Sequence, residues 1–323
     1  MNFPTISEAT RLARLQPPTG KVRMVLDTDT YNEIDDQFAV VQALLSPEKL
    51  AVEAIYAAPF LNNRSSSAGD GMEKSYEEIL RLLSRLDVSP DNFAYRGAND
   101  FLADYTQPQD SPAVRDLIAR ALASDDDPLY VVAIGAITNV ASAILIEPKI
   151  VEKIVVVWLG GNALHWPHNV EFNLVGDVPA ARLVLDCGVP LVLLPCAGVT
   201  THLRTTVPEI EQHVQGKGAI GDFLAETIKG YSDNHFGWSK EVWDMIAIAY
   251  LLNADWVPSN LVASPIITQK TAVPISFAPD VWQKQELAWS FDPSRHLIRC
   301  AYYVHRDPIF RDFFTKLDRW ANK

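Results

Sequence analysis

Four aspartates lie close together in the segment VLDTDTYNEIDDQFA. Asp27 and Asp29 end a short apolar run that we predict to be a strand, and Asp35 and Asp36 open the helix predicted after it. Carboxylates this close repel one another unless a cation neutralises them. Hard oxygen ligands of this type favour calcium or magnesium. The segment therefore predicts a divalent cation site, although an acidic pair is by itself also typical of a first helical turn.

Two later segments carry polar side chains that are suited to a ligand. Glu171 and Asn173 flank Phe172, and in an extended chain both would point to the same side, where an acid and an amide can bind hydroxyl groups. Asp244 lies in the first turn of the predicted helix Val242–Leu252, a position where an acid also complements the helix dipole. Alone, each feature has an ordinary structural explanation.

The elements that position these residues alternate between short apolar strands and amphipathic helices. The predicted strands are Val22–Leu26, Val52–Ala57, Leu129–Ile134, Ile154–Leu159 and Leu191–Leu194. The predicted helices are Asp35–Leu45, Glu73–Leu86, Val114–Ala123, Asn139–Ile146, Asp177–Asp186, Ile220–Lys229, Val242–Leu252 and Ile309–Trp320. This alternation predicts an α/β fold, an open and mostly parallel sheet with helices on both faces, which binds ligands at the carboxyl ends of its strands.

The C-terminal half departs from strict alternation. After Pro208 we predict helical additions, and between Leu252 and Ile309 an irregular, proline-containing stretch. We divide the chain into a leader with a short helix, residues 1–20, and a single α/β domain, residues 21–323.

Composition limits the possible partners. The chain has 323 residues, 48% of them hydrophobic, and a net charge of −12, which argues against nucleic acid and anionic membranes because both require basic patches. Three widely spaced cysteines without a CxxC pair indicate a reducing compartment. The first residues do not resemble a signal peptide, and the longest uncharged stretch is shorter than the ~20 residues of a membrane span. We therefore expect a cytoplasmic protein.

Four segments together resemble the inosine–uridine type of nucleoside hydrolase family, from about Lys21 to Ala254. The DTD…DD opening is similar to the family's DxDPGxDDA. The segment VVAIGAITNVASAI resembles its strand and GxLTN turn, EFNLVGDVPAARLVL its EFNxxxDPEAAxxV segment, and VWDMIAIAYLL its HDPxAxAYL segment. The resemblance implies hydrolysis of the N-glycosidic bond of ribonucleosides, with one calcium per chain and a homo-oligomer, dimer or tetramer.

The same resemblance implies the role of each matching residue. The calcium ligands would be Asp29, Asp36, the main-chain carbonyl of Ile134, and Asp244; Asp29 would also be the general base. Substrate contacts would come from Asp35, which would bind a ribose hydroxyl, and from Asn62, His165, Glu171, Asn173 and Trp243. Two of these positions do not align uniquely: Asn63 can replace Asn62, and Asn162 or Asn169 can replace His165.

The chain also departs from the family pattern. The opening loop TYNEI is two residues longer than the family's PGx, and Trp243 stands where the family has a histidine. That histidine is a candidate leaving-group acid in purine-cleaving members, whereas Trp243 can either stack on the base or, as is more usual for a tryptophan at a helix start, only pack the helix. The segment after Tyr95-Arg96-Gly97 lacks the family's His-Gly loop.

Two alternative functions remain open from the sequence. The altered acid positions are compatible with a nucleoside- or ribose-binding protein that keeps the metal without turnover. The opening Asp27-Thr28-Asp29-Thr30 also resembles haloacid-dehalogenase-like phosphotransferases, in which Asp27 would be the nucleophile and magnesium the metal.

Overall fold

The computed structural model describes residues 3–123, 127–270 and 286–322. Its strands are β1 Val22–Thr28, β2 Leu50–Ala57, β3 Ala94–Arg96, β4 Leu129–Ala133, β5 Ile154–Leu159, β6 Leu191–Leu194, β7 Arg204–Thr205, β8 Lys240–Glu241, β9 Ser259–Ala263, β10 Ile266–Lys270, β11 Glu286–Ser290 and β12 Leu297–Ala301. Its α-helices are α1 Glu8–Arg14, α2 Asp35–Leu44, α3 Ala68–Arg85, α4 Pro112–Leu122, α5 Thr138–Ile146, α6 Phe172–Gly176, α7 Val178–Asp186, α8 Val207–His213, α9 Gly218–Lys229, α10 Met245–Leu252 and α11 Arg306–Ala321.

The central sheet has eight strands in the order β3-β2-β1-β4-β5-β6-β12-β9. All neighbouring strands run parallel except β9, which is antiparallel to β12 at the edge of the sheet. The pairs β10–β11 and β7–β8 form two small antiparallel sheets. The predicted α/β fold with a mostly parallel sheet is confirmed.

Helices cover both faces of the sheet because every strand of its centre is apolar on both sides. In β1, Leu26 packs into one core with α2, α3 and α10, whereas Val25 packs into the opposite core with α4, α5 and α7. This two-sided burial is typical of parallel sheets. It fixes the carboxyl ends of the strands as the place where loops can carry function.

The stretch between α10 and α11 corrects one prediction. We expected irregular structure there, but it contains β9 to β12. Two of these strands lack the continuous apolar sequence by which we predicted the others. β9 is partly exposed and contains Ser259 and Asn260, and β12 contains Arg299. Residues 271–285 of this stretch lie outside the described residues.

The N-terminal segment packs against the domain through α1. Arg11 donates to the carbonyl of Gly188 at 2.6 Å, and Leu15 is fully buried while its carbonyl accepts from Arg299 at 2.6 Å. The division of the chain at residue 20 stays a prediction.

The long helix α3 is amphipathic, whereas α10 is buried at every position. The 18-residue α3 carries Asp70, Glu73 and Lys74 beside its buried positions. Within the described ranges, no helix is both long and apolar enough to cross a membrane.

The strand order changes direction between β1 and β4. From β1 the chain moves outward to β2 and β3, and it then returns to β4 on the other side of β1 and continues to β5 and β6. Sheets of this order bind ligands in the crevice where the direction changes. Asp29 follows β1 and Ile134 follows β4, so both lie at this crevice.

Candidate active site

A cleft of about 730 Å³ opens at the carboxyl edge of the sheet. Of the predicted site residues it is lined by Asp29, Asp35, Asp36, Asn62, Ile134, Glu171, Asn173, Trp243 and Asp244. These come from loops after β1, β2, β4 and β5 and from the start of α10. The fold therefore brings together residues that are spread over most of the chain, and His165 is the one predicted residue that it leaves outside.

The floor of the cleft is an acidic cluster formed by Asp29, Asp35, Asp36 and Asp244. Carboxylate oxygens of Asp35, Asp36 and Asp244 all lie within 4.8 Å of one another. Asp35 begins α2 and Asp244 is the N-cap residue of α10, but neither helix has a side-chain cap hydrogen bond. Capping therefore does not account for Asp244, and Asp35 is not a capping residue because the N-cap residue of α2 is Ile34. Both acids line the cleft.

Asp29 is the most exceptional member of the acidic cluster. Its side chain is 1% exposed, and both carboxylate oxygens are buried without a hydrogen-bond partner among the described residues. Asp36, in contrast, accepts a hydrogen bond from Thr28. Because a buried carboxylate without a partner costs several kcal/mol, Asp29 needs a ligand or a proton.

Burial and mutual repulsion make it costly to ionise the whole cluster. Burial raises the pKa of Asp36 to about 6, against an opposing hydrogen bond from Thr28. Burial also raises the pKa of Asp35 to about 8, with Lys240 opposing the shift. For Asp29 and Asp244, burial followed by the neighbouring aspartates raises the pKa well above the usual range.

The donor set fits a hard divalent cation. Its oxygens come from carboxylates and from the carbonyl of Ile134, which lines the same cleft. This carbonyl also accepts a hydrogen bond from Asn173 Nδ2 at 3.2 Å. Oxygen ligands of this kind suit calcium or magnesium, and a cation would satisfy the unpartnered oxygens of Asp29. Asp35, which the resemblance assigned to the sugar, lies in the same group of oxygens as Asp36 and Asp244.

Glu171 and Asn173 reach the cleft by a different route from the one we expected. They do not alternate along an extended chain, because Glu171 is the N-cap residue of α6 and Asn173 lies within this helix. The Glu171 carboxylate accepts hydrogen bonds from the backbone N–H groups of Gly161, Asn173 and Leu174 at 2.7–3.0 Å. Burial still raises the pKa of Glu171 despite these bonds.

The loop after β2 brings both candidate asparagines to the cleft. Asn62 is held in place, since its Nδ2 donates to Asn32 Oδ1 at 2.7 Å and its Oδ1 accepts from the Arg64 backbone at 2.8 Å. Asn63 is exposed and lines the same wall. The structure thus leaves the choice between Asn62 and Asn63 open.

His165 lies outside the cleft for a local reason. The Trp166 N–H donates to the Ala163 carbonyl at 2.8 Å, which forms a tight turn and leaves His165 exposed. Asn162 and His168 line the cleft instead. The Asn162 side chain supports the wall by accepting from Ala197 N–H at 3.1 Å and donating to the His168 carbonyl at 3.2 Å.

Three groups at the mouth of the cleft were not identified from the sequence. Glu33, in the lengthened opening loop, accepts hydrogen bonds from Tyr231 Oη and from Lys240 Nζ, both at 2.8 Å. Lys240 is nearly buried and lies behind Glu33, whereas Glu33 and Tyr231 line the cleft beside Trp243. The extra loop residues were the only sequence signal, because the partners of Glu33 are distant in the chain.

Asp27 lies behind the cleft rather than in it. It is fully buried, its Oδ1 accepts from Asn139 Nδ2 at 2.7 Å, and burial raises its pKa to about 7. Asn139 also donates to the Ala57 carbonyl at 3.2 Å and accepts from the Ala98 N–H at 2.8 Å, so it ties three strand ends together. Asp27 is not a lining residue, which removes the geometric basis for a nucleophilic role.

The sheet order and the acidic cleft at the change of strand direction define an α/β enzyme with a polar ligand site. Comparison with known proteins is more specific: residues 24–288 match the inosine-uridine preferring nucleoside hydrolase family, and the chain belongs to this family. The predicted family and enzyme class, hydrolases acting on N-glycosyl bonds, are confirmed.

The relatives include curated proteins and solved structures. A pyrimidine-specific ribonucleoside hydrolase, RihA, from Klebsiella pneumoniae (strain 342) is 30% identical over 267 residues, which cover 72% of this chain and 80% of the relative. The purine-preferring ribonucleoside hydrolase from Gardnerella vaginalis superimposes with a TM-score of 0.68 at 21% identity, covering 93% of this chain and 99% of that one. A plant nucleoside hydrolase, PpNRh1, gives a TM-score of 0.66 at 19% identity, with coverage of 93% and 99%.

Proposed function

We propose that this protein uses one bound calcium ion to hydrolyse the N-glycosidic bond of ribonucleosides, releasing ribose and a free base. The observation that carries the proposal is Asp29, a buried and unpartnered carboxylate beside three further aspartates at the floor of the cleft. The ribonucleoside is the substrate class common to RihA and the Gardnerella enzyme, whose names state different base preferences.

The residues that would hold the ion are Asp29, Asp36, Asp244 and the carbonyl of Ile134. Calcium bound there would supply a template for two vicinal hydroxyls and a water molecule. Asp35, at the first turn of α2 and in the same oxygen group, is placed to accept a hydrogen bond from one of these hydroxyls.

Asp29 is the proposed general base. Cleavage of the bond builds positive charge on the ribose ring, and the attacking water must lose a proton to a nearby carboxylate. Neither carboxylate oxygen of Asp29 has a hydrogen-bond partner in the part of the chain that the structure describes, so one can face the metal and the other the water. Carboxylates around the ring also stabilise the developing positive charge.

The far end of the sugar would lie against Glu171 and Asn173. The backbone N–H groups that hold Glu171 fix its carboxylate at the β5 end of the cleft, where it accepts a hydrogen bond from the terminal ribose hydroxyl. Asn173 is anchored through its Nδ2 to the carbonyls of Ile134 and Leu159, which leaves its Oδ1 for the substrate. The base would then lie toward the opposite end.

The direct test is a panel of natural ribonucleosides assayed for released ribose, with and without a chelator of divalent cations. We expect release from at least one nucleoside, loss of it with chelator, and recovery with added calcium. Recovery with magnesium but not calcium would contradict the choice of metal. Bound calcium without release of base from any nucleoside would instead support a binding protein, the alternative that the replacement of the family histidine by Trp243 favours.

Two further parts of the proposal rest on the sequence alone: the assembly on the family resemblance, and the location on the sparse, widely spaced cysteines. We propose that the protein is a homodimer or homotetramer and that it acts in the cytoplasm on a small nucleoside. Light scattering of the purified protein tests the assembly, and a monomer at micromolar concentration would contradict it.

A further inference from the structure

Arg64 is an unpaired cation at the mouth of an acidic cleft. Among the described residues it is the only lysine or arginine that lines the cleft. No acidic side chain of the described residues forms an ion pair with Arg64, whereas the nearby Arg81 and Arg96 are each bound to a glutamate. In a chain with a net charge of −12, an arginine beside the ligand site without an acidic partner is unusual, and this position suggests that it acts on the ligand.

The structure holds Arg64 in place without neutralising it. Its guanidinium lies 4.3 Å from the ring centroid of Tyr31, and its Nη1 makes one long hydrogen bond of 3.4 Å to the carbonyl of Asn32. The Arg64 backbone is fixed by Asn62 Oδ1 and by Lys74 Nζ, which donates to its carbonyl at 2.8 Å. Most of the five N–H donors of the guanidinium therefore remain available to a ligand.

The position of Arg64 along the cleft is set by the sheet. Arg64 follows β2 and Glu171 follows β5, with β1 and β4 between these strands. Adjacent strands are about 4.8 Å apart, so the carboxyl ends of β2 and β5 are separated by roughly 14 Å across the sheet. In the proposed binding mode the far sugar hydroxyl lies at Glu171 and the ribose over the acidic cluster, which leaves the base on the β2 side of the cleft, where Arg64 is a lining residue.

We propose that Arg64 stabilises the departing base as an anion, taking over by charge the role of a proton donor. The inference rests on the proposed function. When the bond between C1′ and the base nitrogen breaks, its electron pair stays with the base, and the attacking water gives its proton to Asp29. The base leaves as an anion beside Arg64 and is protonated by solvent after release.

This role follows from the chemistry of the guanidinium. It stays charged in proteins and so cannot deliver a proton, but its planar set of N–H groups binds a delocalised anion at two points. It therefore suits bases that carry a carbonyl oxygen next to the glycosidic nitrogen, as in uracil, because the charge spreads onto that oxygen. Such a site uses binding energy that develops only as the bond breaks.

The test compares Arg64→Gln with the wild type on uridine and on nitrophenyl riboside, whose leaving group is already a stable anion. For uridine we expect kcat to fall about 100-fold with KM little changed, and for nitrophenyl riboside a loss of less than about 5-fold. The pH dependence of kcat should keep its shape, because Arg64 transfers no proton. Arg64→Lys should recover part of the uridine rate.

Arg81→Gln is the matched control. The guanidinium carbon of Arg81 lies 5.9 Å from the ring centroid of Tyr31, and Arg81 is bound to Glu78. It does not line the cleft. Its replacement should leave both rates unchanged. Thermal unfolding of each variant checks that the exposed Arg64 can be replaced without loss of the fold.

The outcomes separate this inference from the proposed function. Equal losses on both substrates, or no loss on either, would overturn the role of Arg64 while hydrolysis itself stands. A wild-type protein that cleaves nitrophenyl riboside but not uridine would also overturn it. A wild-type protein that cleaves neither of these two but cleaves another nucleoside would overturn only this inference. A wild-type protein that releases ribose from no nucleoside of the panel would overturn the proposed function and this inference with it.

Discussion

The floor and the mouth of the cleft are built in opposite ways. Asp29, Asp36 and Asp244 on the floor are at most 3% exposed and sit at the ends of buried elements, and they match the family motifs. At the mouth, Tyr231 is 43% exposed, and Glu33 and Arg64 come from loops that depart from the family or do not align with it. In the proposed mechanism, the cleavage chemistry therefore depends on residues at the edge of the sheet, whereas the handling of the leaving base depends on loops that can vary.

The largest effect should come from the floor. Asp29→Asn keeps the shape of the side chain and one possible metal ligand but removes the proton acceptor, so kcat should fall by about 100-fold or more. Ribose release from the best nucleoside measures it. Asp27→Asn is the comparison, since Asp27 lies behind the cleft: if Asp27→Asn abolished turnover and Asp29→Asn did not, the phosphotransferase alternative would regain support.

Removal of the cation should also act on the floor, with stability as the readout. Calcium at one hundred times its dissociation constant would stabilise the fold by about 2.7 kcal/mol, which corresponds to several degrees in Tm. Differential scanning calorimetry with calcium and with chelator measures this shift. Asp244→Asn should lose most of it, while Asp116→Asn, a change outside the cleft, should retain it. A shift that is the same in Asp244→Asn would place the ion elsewhere.

The pH dependence of that stability has a definite sign. Burial raises the pKa of Asp36 to about 6 and of Asp35 to about 8, both above the ordinary value of an unfolded aspartate. Between the pKa of an unfolded aspartate and these raised values, the folded protein binds more protons than the unfolded chain. Its free energy of unfolding therefore falls as pH rises through this range. In chelator, Tm should therefore decline from pH 5 to pH 8 more steeply than in calcium. Parallel curves would show that the ion does not bind these carboxylates.

At the mouth, Trp243→Ala should have a smaller and more selective effect. If Trp243 stacks on the base, natural nucleosides should lose about 10-fold in kcat/KM, since one stacked base is worth roughly 1–3 kcal/mol. Nitrophenyl riboside should lose less, because its leaving group departs without help. Trp238→Ala is the control, as Trp238 packs nearby but does not line the cleft. Equal losses for both substrates would mean that Trp243 only packs the start of α10.

Tyr231→Phe should have the smallest effect of the series. The hydroxyl of Tyr231 already donates to Glu33, and burial followed by the Glu33 carboxylate raises the pKa of Tyr231 to about 12, so it is a poor proton donor. We expect kcat to change by less than about 3-fold, because the hydroxyl that is removed is bound to the Glu33 carboxylate rather than to the leaving base. Tyr105→Phe, an equally exposed tyrosine, sets the baseline. A loss above that range confined to natural nucleosides would make Tyr231 the leaving-group acid and weaken the role assigned to Arg64.

The sequence predicted the floor better than the mouth for physical reasons. Parallel strands are apolar on both faces, so β1, β4 and β5 were recognisable, and with them the positions of Asp29 and Ile134. Side-chain direction in loops depends on turns that a motif does not encode, which is why His165 was misplaced. The hydrogen bond between Glu33 and Tyr231 joins positions 198 residues apart, and no local pattern announces it.

The strands that were missed belong to the periphery. β9 is an edge strand with partly exposed side chains, and β12 buries an arginine, so neither shows the apolar run of a central strand. Their pairing is decided by the space left beside β6 rather than by their own composition. This part of the fold follows from the whole chain and not from a window of it.

The antiparallel pair β10 and β11 affects the order in which parts of the protein can fold. Trp289 Nε1 donates to the Asn162 carbonyl at 2.8 Å across 127 residues, and the Asn169 N–H donates to the Leu287 carbonyl at 2.7 Å. The loop that bears His168 is thus held by a strand that comes much later in the chain. Strands β1 and β2 can therefore pair during folding before this loop closes, because the loop also needs residues up to Trp289.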